Sequence, residues 1–141
     1  MKNGTIILVD DDRDDQELLM NVFESLGIPN EVQIFENGHE ALLFLKQNPS
    51  QPFIIICDVN MPIMNGLELR RQINSNEFLR RKSIPFIFLS TSGDIDAVIE
   101  AYELDVQGFF VKERYFEGIQ EQIKQIVEYW KKCKHPNSDK Q

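Results

Sequence analysis

Short apolar runs alternate with amphipathic stretches along most of this chain. The runs are brief, rich in β-branched and aromatic residues, and bounded by polar or turn residues, which is typical of strands covered on both faces. Four clear runs lie at 6–9, 53–57, 86–89 and 109–111, and a weaker one lies at 32–35. The pattern therefore predicts five short strands.

Apolar side chains recur at helical spacing between and after these strands. The five helical stretches lie at 18–26, 41–45, 67–73, 95–102 and 119–130. Strands that alternate with helices favour right-handed crossovers and a parallel sheet with helices on both faces. We therefore predict a doubly wound α/β fold of the flavodoxin-like type, with a five-stranded parallel sheet in the order 2-1-3-4-5.

The 141 residues carry a formal net charge of −8. This length suits one domain, predicted at 1–134, and residues 135–141 are expected to form a disordered C-terminal tail. An acidic surface repels phosphate backbones, which argues against a nucleic-acid partner. The chain has no apolar run long enough to span a membrane, no secretion signal at its start and only two cysteines, Cys57 and Cys133. We expect a cytoplasmic protein with no membrane attachment and no disulfide framework.

Acidic residues follow two of the predicted strands, at the sheet edge where ligands bind in folds of this type. Asp10 and Asp11 follow the first strand, and Asp58 follows the third. A single aspartate at such a place is commonly a helix N-cap, but several carboxylates together repel one another unless a cation is bound. Oxygen ligands of this kind suit Mg²⁺ or Mn²⁺. The neighbouring Asp12 has no clear role, and a solvated loop position is favoured for it.

A hydroxyl and an amine follow the last two strands. Ser90 ends the fourth strand and Lys112 ends the fifth. Taken singly, the serine is explained as a helix cap and the lysine as a surface residue with a partly covered stem. Opposite an acidic pocket, however, they could bind two oxygens of a phosphoryl group while a metal binds the third. The nucleophile would then be a carboxylate.

These residues together resemble a known family. The stretch Cys57–Gly66, which contains the pattern Asp-x-Asn-Met-Pro-x-Met-x-Gly, occurs with Asp10-Asp11, Ser90 and the segment 109–112 in the expected order. The chain resembles the receiver domain of bacterial two-component response regulators over about 5–130. No segment remains for an output domain, so the chain looks like a stand-alone receiver, similar to the single-domain chemotaxis type.

The resemblance implies a phosphoacceptor and a metal site. By position, Asp58 is the phosphoacceptor and Asp11 a direct Mg²⁺ ligand, with Asp10 acting nearby or through water. The backbone carbonyl of Asn60 is implied as a further metal ligand. The implied donor is a sensor histidine kinase or a histidine phosphotransfer protein. We expect no catalysis beyond the chain's own phosphoryl transfer and dephosphorylation.

The resemblance also implies a switch. Lys112 would bind the phosphate, Ser90 would move toward it, and the aromatic Phe109 would follow into the vacated space. This would change the surface formed by the helix predicted at 95–102, the fifth strand and the last helix. That surface would bind a downstream protein target, and the chain would be a monomer or a weak homodimer through it.

Several residues depart from the family pattern. Glu113 follows Lys112 where receivers have a proline, often after a cis bond, so this loop is either trans and remodelled or strained. Phe109 lacks the hydroxyl of the more common tyrosine, so a switch must work by packing. Neither Asn60 nor Ser92, which flank the phosphorylation site, is an acid able to orient water. We therefore expect slow or moderate self-dephosphorylation.

Two alternative functions stay open. The chain could be a degenerate receiver that binds partners without phosphorylation, which Glu113 weakly favours and the intact acids, Ser90 and Lys112 disfavour. It could also be a small-molecule phosphatase or phosphotransferase, but those enzymes commonly need a second Asp two residues after the nucleophile, where this chain has Asn60.

Three further expectations concern the rest of the chain. The stretch 74–83 is longer than a minimal receiver needs. The basic groups Arg70-Arg71 and 80–82 are expected on solvated faces. The last helix should bury its apolar stripe, with Trp130 near its end partly exposed.

Overall fold

A computed structural model of the chain describes residues 2–136. Its centre is a five-stranded, fully parallel sheet in the order β2-β1-β3-β4-β5. The strands are β1 (Ile6–Val9), β2 (Val32–Phe35), β3 (Ile54–Cys57), β4 (Phe86–Ser90) and β5 (Gly108–Val111). All five predicted strands are present, and the doubly wound flavodoxin-like arrangement is confirmed.

Within residues 2–136 the structure has six helices, one more than the pattern predicts. They are α1 (Arg13–Ser25), α2 (Gly38–Gln47), α3 (Gly66–Ser75), α4 (Glu77–Lys82), α5 (Ile95–Glu103) and α6 (Phe116–Lys132). The additional helix, α4, occupies the long stretch before β4. No helix in the described part of the chain is both long and apolar enough to cross a membrane.

The helix ends follow local capping chemistry. Asp12 precedes α1, and its carboxylate accepts the N–H groups of Asp14 at 2.8 Å and Asp15 at 3.2 Å. It is exposed, as expected, but it has a definite role as an N-cap. At the other end of the same helix Gly27 adopts φ +64°, the left-handed conformation that terminates helices.

Two apolar layers, one on each face of the sheet, explain why the strands are apolar at successive positions instead of alternating between apolar and polar residues. Ile7, Val9 and the residues that share their face pack against α2, α3, α4 and α5. Ile6, Leu8 and their neighbours on the opposite face pack against α1 and α6. Both faces of β1, β3 and β4 are therefore buried, as the sequence pattern predicts.

The apolar stripe of α5 does not lie in the core. Ile95, Ile99 and Tyr102 are each more than half exposed. The small residue Ala101 is fully buried instead, and Ala97 packs beside the core. Because α5 contacts the sheet layer through alanines, its large apolar side chains are left on the surface.

Two basic residues expected on solvated faces are buried. Arg70 donates from Nε to the Leu104 carbonyl at 2.9 Å and from Nη2 to the Asp105 carbonyl at 2.8 Å. Lys82 donates from Nζ to the backbone carbonyls of residues 48 and 50, at 2.9 and 2.8 Å. The expectation is wrong for these two residues because each binds carbonyls at the end of a neighbouring helix or loop. It is correct for Arg80 and Arg81, which are exposed.

The remaining expectations concern the last helix, the cysteines and the C-terminal end of the chain. Trp130 is partly buried near the end of α6, and the apolar stripe of that helix, Ile119, Ile123, Ile126 and Val127, is buried in the core. Cys57 and Cys133 are both free thiols. Of the predicted tail at 135–141, residues 137–141 lie outside the described part of the chain.

Candidate functional site

Three carboxylates meet at the carboxyl edge of the sheet. Val9 pairs with Cys57 in adjacent strands, so the next residues, Asp10 and Asp58, lie side by side. One oxygen from each of Asp10, Asp11 and Asp58 lies within 4.8 Å of the other two. Asp10 is buried, Asp58 is partly exposed and Asp11 is exposed, so the cluster opens to solvent on one side. The convergence predicted from the strand ends is present.

Backbone contacts hold two of these acids in place. The Asp58 N–H donates to the Val9 carbonyl at 2.8 Å, and one Asp58 carboxylate oxygen accepts the Val59 N–H at 2.7 Å. Asp10 Oδ1 accepts the N–H of Asp12 at 3.0 Å. The Gln16 side chain donates to the Asp10 carbonyl at 2.6 Å. The carboxylates are thus oriented before any ligand binds.

Burial makes the negative charges of this cluster unfavourable. Burial raises the pKa of Asp10 from 3.8 to about 6; the Asp12 N–H and the Lys112 ammonium oppose the shift, and Asp58 adds to it. Burial also raises the pKa of Asp58; the Val59 N–H and the charge of Lys112 oppose this shift, and the charge of Asp11 adds to it. A divalent cation would offset these charges, and a set of hard oxygens is the kind that Mg²⁺ and Mn²⁺ prefer. The residues present therefore fit the implied metal.

Lys112 lies beside the acids with a nearly buried side chain. Its Nζ is 3.2 Å from Asp10 Oδ2 and 2.9 Å from Asp15 Oδ2. Burial lowers the pKa of Lys112, but these two carboxylates outweigh burial and the net pKa is raised. Among the described residues, Asp58 is not an ion-pair partner of this ammonium group.

Asp15 is a site neighbour that sequence reasoning missed. It lies in the first turn of α1, where an acidic residue is already explained by the partial positive charge of the helix N-terminus. Nothing in the local sequence indicates that it contacts a lysine 97 positions away. Only the packing of α1 beside the end of β5 brings the two together.

The loop after β5 is trans and braced by a glutamine. The described residues contain no cis peptide bond, so the Lys112–Glu113 bond is trans. The Gln122 side chain accepts the Glu113 N–H at 3.1 Å and donates to the Val111 carbonyl at 2.7 Å. The Lys112 N–H donates to the Ser90 carbonyl at 2.7 Å. Of the two alternatives for this loop, the trans, remodelled one is confirmed, and Gln122 is a second residue that sequence reasoning missed.

Ser90 and Phe109 lie on the adjacent strands β4 and β5, two positions apart in register. Ser90 is fully buried, its hydroxyl oxygen accepts the Ser92 N–H at 3.3 Å, and its hydrogen bond to Asp58 lowers the pKa of that carboxyl. Phe109 pairs with Phe88 across β4 and β5, and their ring centroids are 5.6 Å apart. The hydroxyl and the aromatic proposed as a switch thus lie on adjacent strands.

The turn after β3 requires a glycine. The Gly66 N–H donates to the Val59 carbonyl at 2.8 Å, which closes the loop that carries Asn60. A Cβ on Gly66 would overlap the Asp58 carbonyl and the Phe88 ring. Asn60 itself is exposed, and the role of its carbonyl as a metal ligand stays a prediction.

Comparison with known proteins agrees with this fold. The family model described as the response regulator receiver domain matches residues 6–124. The chain belongs to the response regulator receiver family.

Phytochrome-linked response regulators are among its relatives. Response regulator Rcp1 from Synechocystis sp. is 33% identical over 130 residues, which cover 89% of this chain and 87% of that protein. The crystal structure of the phosphorylated cyanobacterial phytochrome response regulator RcpA superposes with a TM-score of 0.86 at 31% identity, covering 95% of this chain and 99% of that one. The Mn²⁺-bound form of Rcp1 has a TM-score of 0.82 at 31% identity, covering 94% and 99% of the two chains.

Proposed function

We propose that this chain is a single-domain response regulator that accepts a phosphoryl group on Asp58. The donor would be the phosphohistidine of a sensor histidine kinase or a histidine phosphotransfer protein. The observation that carries the proposal is the meeting of three carboxylate oxygens within 4.8 Å, beside a buried lysine and a buried hydroxyl. Membership of the receiver family supports it, as does the similarity to Rcp1 and RcpA, of which the match covers 87% and 99%.

The proposed cofactor is Mg²⁺, with Mn²⁺ as a substitute. Asp11 and Asp58 would bind it directly with the Asn60 carbonyl, and Asp10 would bind it directly or through water. When bound, the cation offsets the carboxylate charges and polarises a phosphoryl oxygen. The Mn²⁺-bound form of the relative Rcp1 supports a divalent ion of this kind.

The proposed transfer is a single displacement at phosphorus. A carboxylate oxygen of Asp58 attacks the phosphorus, the P–N bond to the donor histidine breaks, and the imidazole leaves as the new P–O bond forms. Lys112 would stabilise one phosphoryl oxygen and Ser90 another. Dephosphorylation ends the signal. Water attacks the phosphorus, the P–O bond to Asp58 breaks, and inorganic phosphate leaves, which restores the Asp58 carboxylate. With Asn60 and Ser92 beside the site, we expect this hydrolysis to be slow or moderate.

We propose that phosphorylation signals by changing the shape of one protein surface. Movement of Ser90 toward the phosphoryl group would draw Phe109 inward and alter the face formed by α5, β5 and α6. This face already exposes large apolar side chains, Ile95 and Ile99 among them, which suit a protein partner. We propose a cytoplasmic module that is monomeric or weakly dimeric through this face and catalyses no reaction on other substrates.

An intact-mass measurement tests the proposal. The protein is incubated with Mg²⁺ and acetyl phosphate, alone and with excess EDTA. We expect one phosphoryl adduct that is absent with EDTA and absent in Asp58→Asn. Asp14→Asn, which removes an exposed charge from the same end of the molecule, should keep the adduct. No adduct in the wild-type protein would contradict the proposal and favour a phosphorylation-independent binding module.

A further inference from the structure

The position of the Lys112 ammonium group is the starting point. Its Nζ lies 2.9 Å from Asp15 Oδ2 and 3.2 Å from Asp10 Oδ2. Within residues 2–136 these carboxylates are its ion-pair partners, and the phosphoacceptor is not among them. Both partners lie on the β1–α1 side of the site, although the charge of Lys112 also acts on Asp58 and lowers the pKa of that carboxyl.

The contact with Asp15 differs from an ordinary surface ion pair. The Lys112 side chain is 4% exposed and the Asp15 side chain is 26% exposed. Removal from water strengthens a charge-assisted hydrogen bond, whereas a fully exposed pair contributes little. Of the two contacts to Lys112, the one with Asp15 is also the shorter.

In the phosphorylated, metal-bound site the two carboxylate partners would attract Lys112 to different extents. Asp10 belongs to the carboxylate cluster, and a bound cation would draw its charge away from the lysine. Asp15 lies outside that cluster and would keep its full attraction for the ammonium group. A phosphoryl group on Asp58 would therefore compete chiefly with Asp15 for Lys112.

We propose that Asp15 is a positioning residue that holds Lys112 on the α1 side of the site and so opposes its transfer to a phosphoryl group on Asp58. This inference rests on the proposed function. Asp15 would lower the stability of the phosphorylated state relative to the unphosphorylated state, because the favourable lysine–Asp15 contact is lost when the lysine moves. A supporting role, in which Asp15 aims the lysine at the phosphoryl group, predicts the opposite sign.

Titration with beryllofluoride, a non-covalent analogue of a phosphoryl group, distinguishes the two roles. Binding is measured by calorimetry at saturating Mg²⁺ for the wild type, Asp15→Asn, Asp15→Glu and Asp14→Asn. We expect Asp15→Asn to bind about three- to tenfold more tightly than the wild type, the value of one partly buried charged contact. Asp15→Glu keeps the carboxylate and should bind like the wild type.

Asp14→Asn is the matched control, because Asp14 is exposed in the same helical turn and its loss removes the same formal charge. It should change the affinity by less than about twofold. Equal or weaker binding by Asp15→Asn, or an increase shared with Asp14→Asn or Asp15→Glu, would overturn the inference and leave the proposed function intact. A wild-type protein that fails to bind beryllofluoride would overturn both. Thermal unfolding of each variant verifies that all four proteins are folded.

Discussion

Replacing Asp10 with asparagine should make the metal-free protein more stable. Asp10 is 2% exposed, and its carboxylate faces Asp58 as well as Lys112. Asparagine has nearly the same shape and keeps an oxygen to accept the Asp12 N–H, which lies 3.0 Å from Asp10 Oδ1. The substitution therefore removes a buried charge and its 3.2 Å contact with Lys112, and it keeps the hydrogen bond that orients the side chain.

The size and pH dependence of the effect follow from the raised pKa of Asp10. Its pKa rises from 3.8 in the unfolded chain to about 6 in the folded protein, so the folded state binds the proton more tightly. The stability of the metal-free wild type should therefore fall as the pH rises through the interval from about 4 to about 6. Above that interval the buried charge costs about 3 kcal/mol, and Asp10→Asn removes this cost.

Urea unfolding in EDTA at several pH values measures this difference. We expect Asp10→Asn to exceed the wild type by about 2 to 3 kcal/mol at pH 7.5 and to approach it near pH 4. Asp14→Asn, an exposed substitution of the same charge, should stay within about 0.5 kcal/mol. Addition of Mg²⁺ should stabilise the wild type and stabilise Asp10→Asn to a smaller extent. A variant that is less stable than the wild type at pH 7.5, or a difference that does not change with pH, would refute the reasoning.

Three further substitutions have definite expected outcomes. Gly66→Ala forces a Cβ against the Asp58 carbonyl and Phe88, so thermal unfolding should show a loss of at least about 2 kcal/mol. Arg70→Ala removes two charged hydrogen bonds to backbone carbonyls near the end of α5 and the contact of the guanidinium with the Phe86 ring, and urea unfolding should show a loss of about 2 to 4 kcal/mol. Gln122→Ala removes both hydrogen bonds that brace the loop around Lys112, and beryllofluoride affinity should fall severalfold with about 1 kcal/mol lost in stability.

Each of these substitutions has a control in the same element or residue type. Gly108→Ala meets only ordinary contacts at 3.7 Å or more and should cost less than Gly66→Ala. Arg71→Ala removes an exposed arginine of the same helix and should cost less than about 1 kcal/mol. Gln125→Ala alters an exposed glutamine of α6 and should leave beryllofluoride affinity unchanged. Equal losses in a substitution and its control would contradict the role given to that residue.

The fold could be predicted from the sequence because burial imposes the pattern. A strand such as Ile6–Val9 is apolar at every position only because helices cover both faces of the sheet. The alternation of strands and helices then leaves few topologies. Which face of α5 packs on the sheet could not be predicted. The spacing of its apolar residues also allows a helix that packs through Ala97 and Ala101 and exposes its larger side chains.

The acidic part of the site could be predicted for a similar reason. Parallel strands end at one edge, so the positions of Asp10 and Asp58 directly after β1 and β3 determine that they meet. Asp15 and Gln122 could not be found in this way. Their contacts depend on how α1 and α6 pack beside the loop after β5. In the sequence, each is simply a polar residue on a helix, which needs no further explanation.

Buried basic residues form the other class that sequence reasoning missed. Arg70 and Lys82 lie among charged neighbours, and a cluster of charges usually indicates a solvated face. Their burial depends on carbonyl groups contributed by distant segments, such as Leu104 for Arg70 and Ser50 for Lys82. Such carbonyls carry no signal in the sequence because every residue has one.

The central claim is that Asp58 carries the phosphoryl group, and chemical trapping tests it most directly. The protein is phosphorylated with acetyl phosphate and Mg²⁺, the acyl phosphate is reduced with borohydride, and the modified residue is located by peptide mass spectrometry. The account predicts reduction at Asp58 alone, with none in Asp58→Asn and none when Mg²⁺ is removed. Modification at another carboxylate, such as Asp11, or the absence of a reducible acyl phosphate would contradict it.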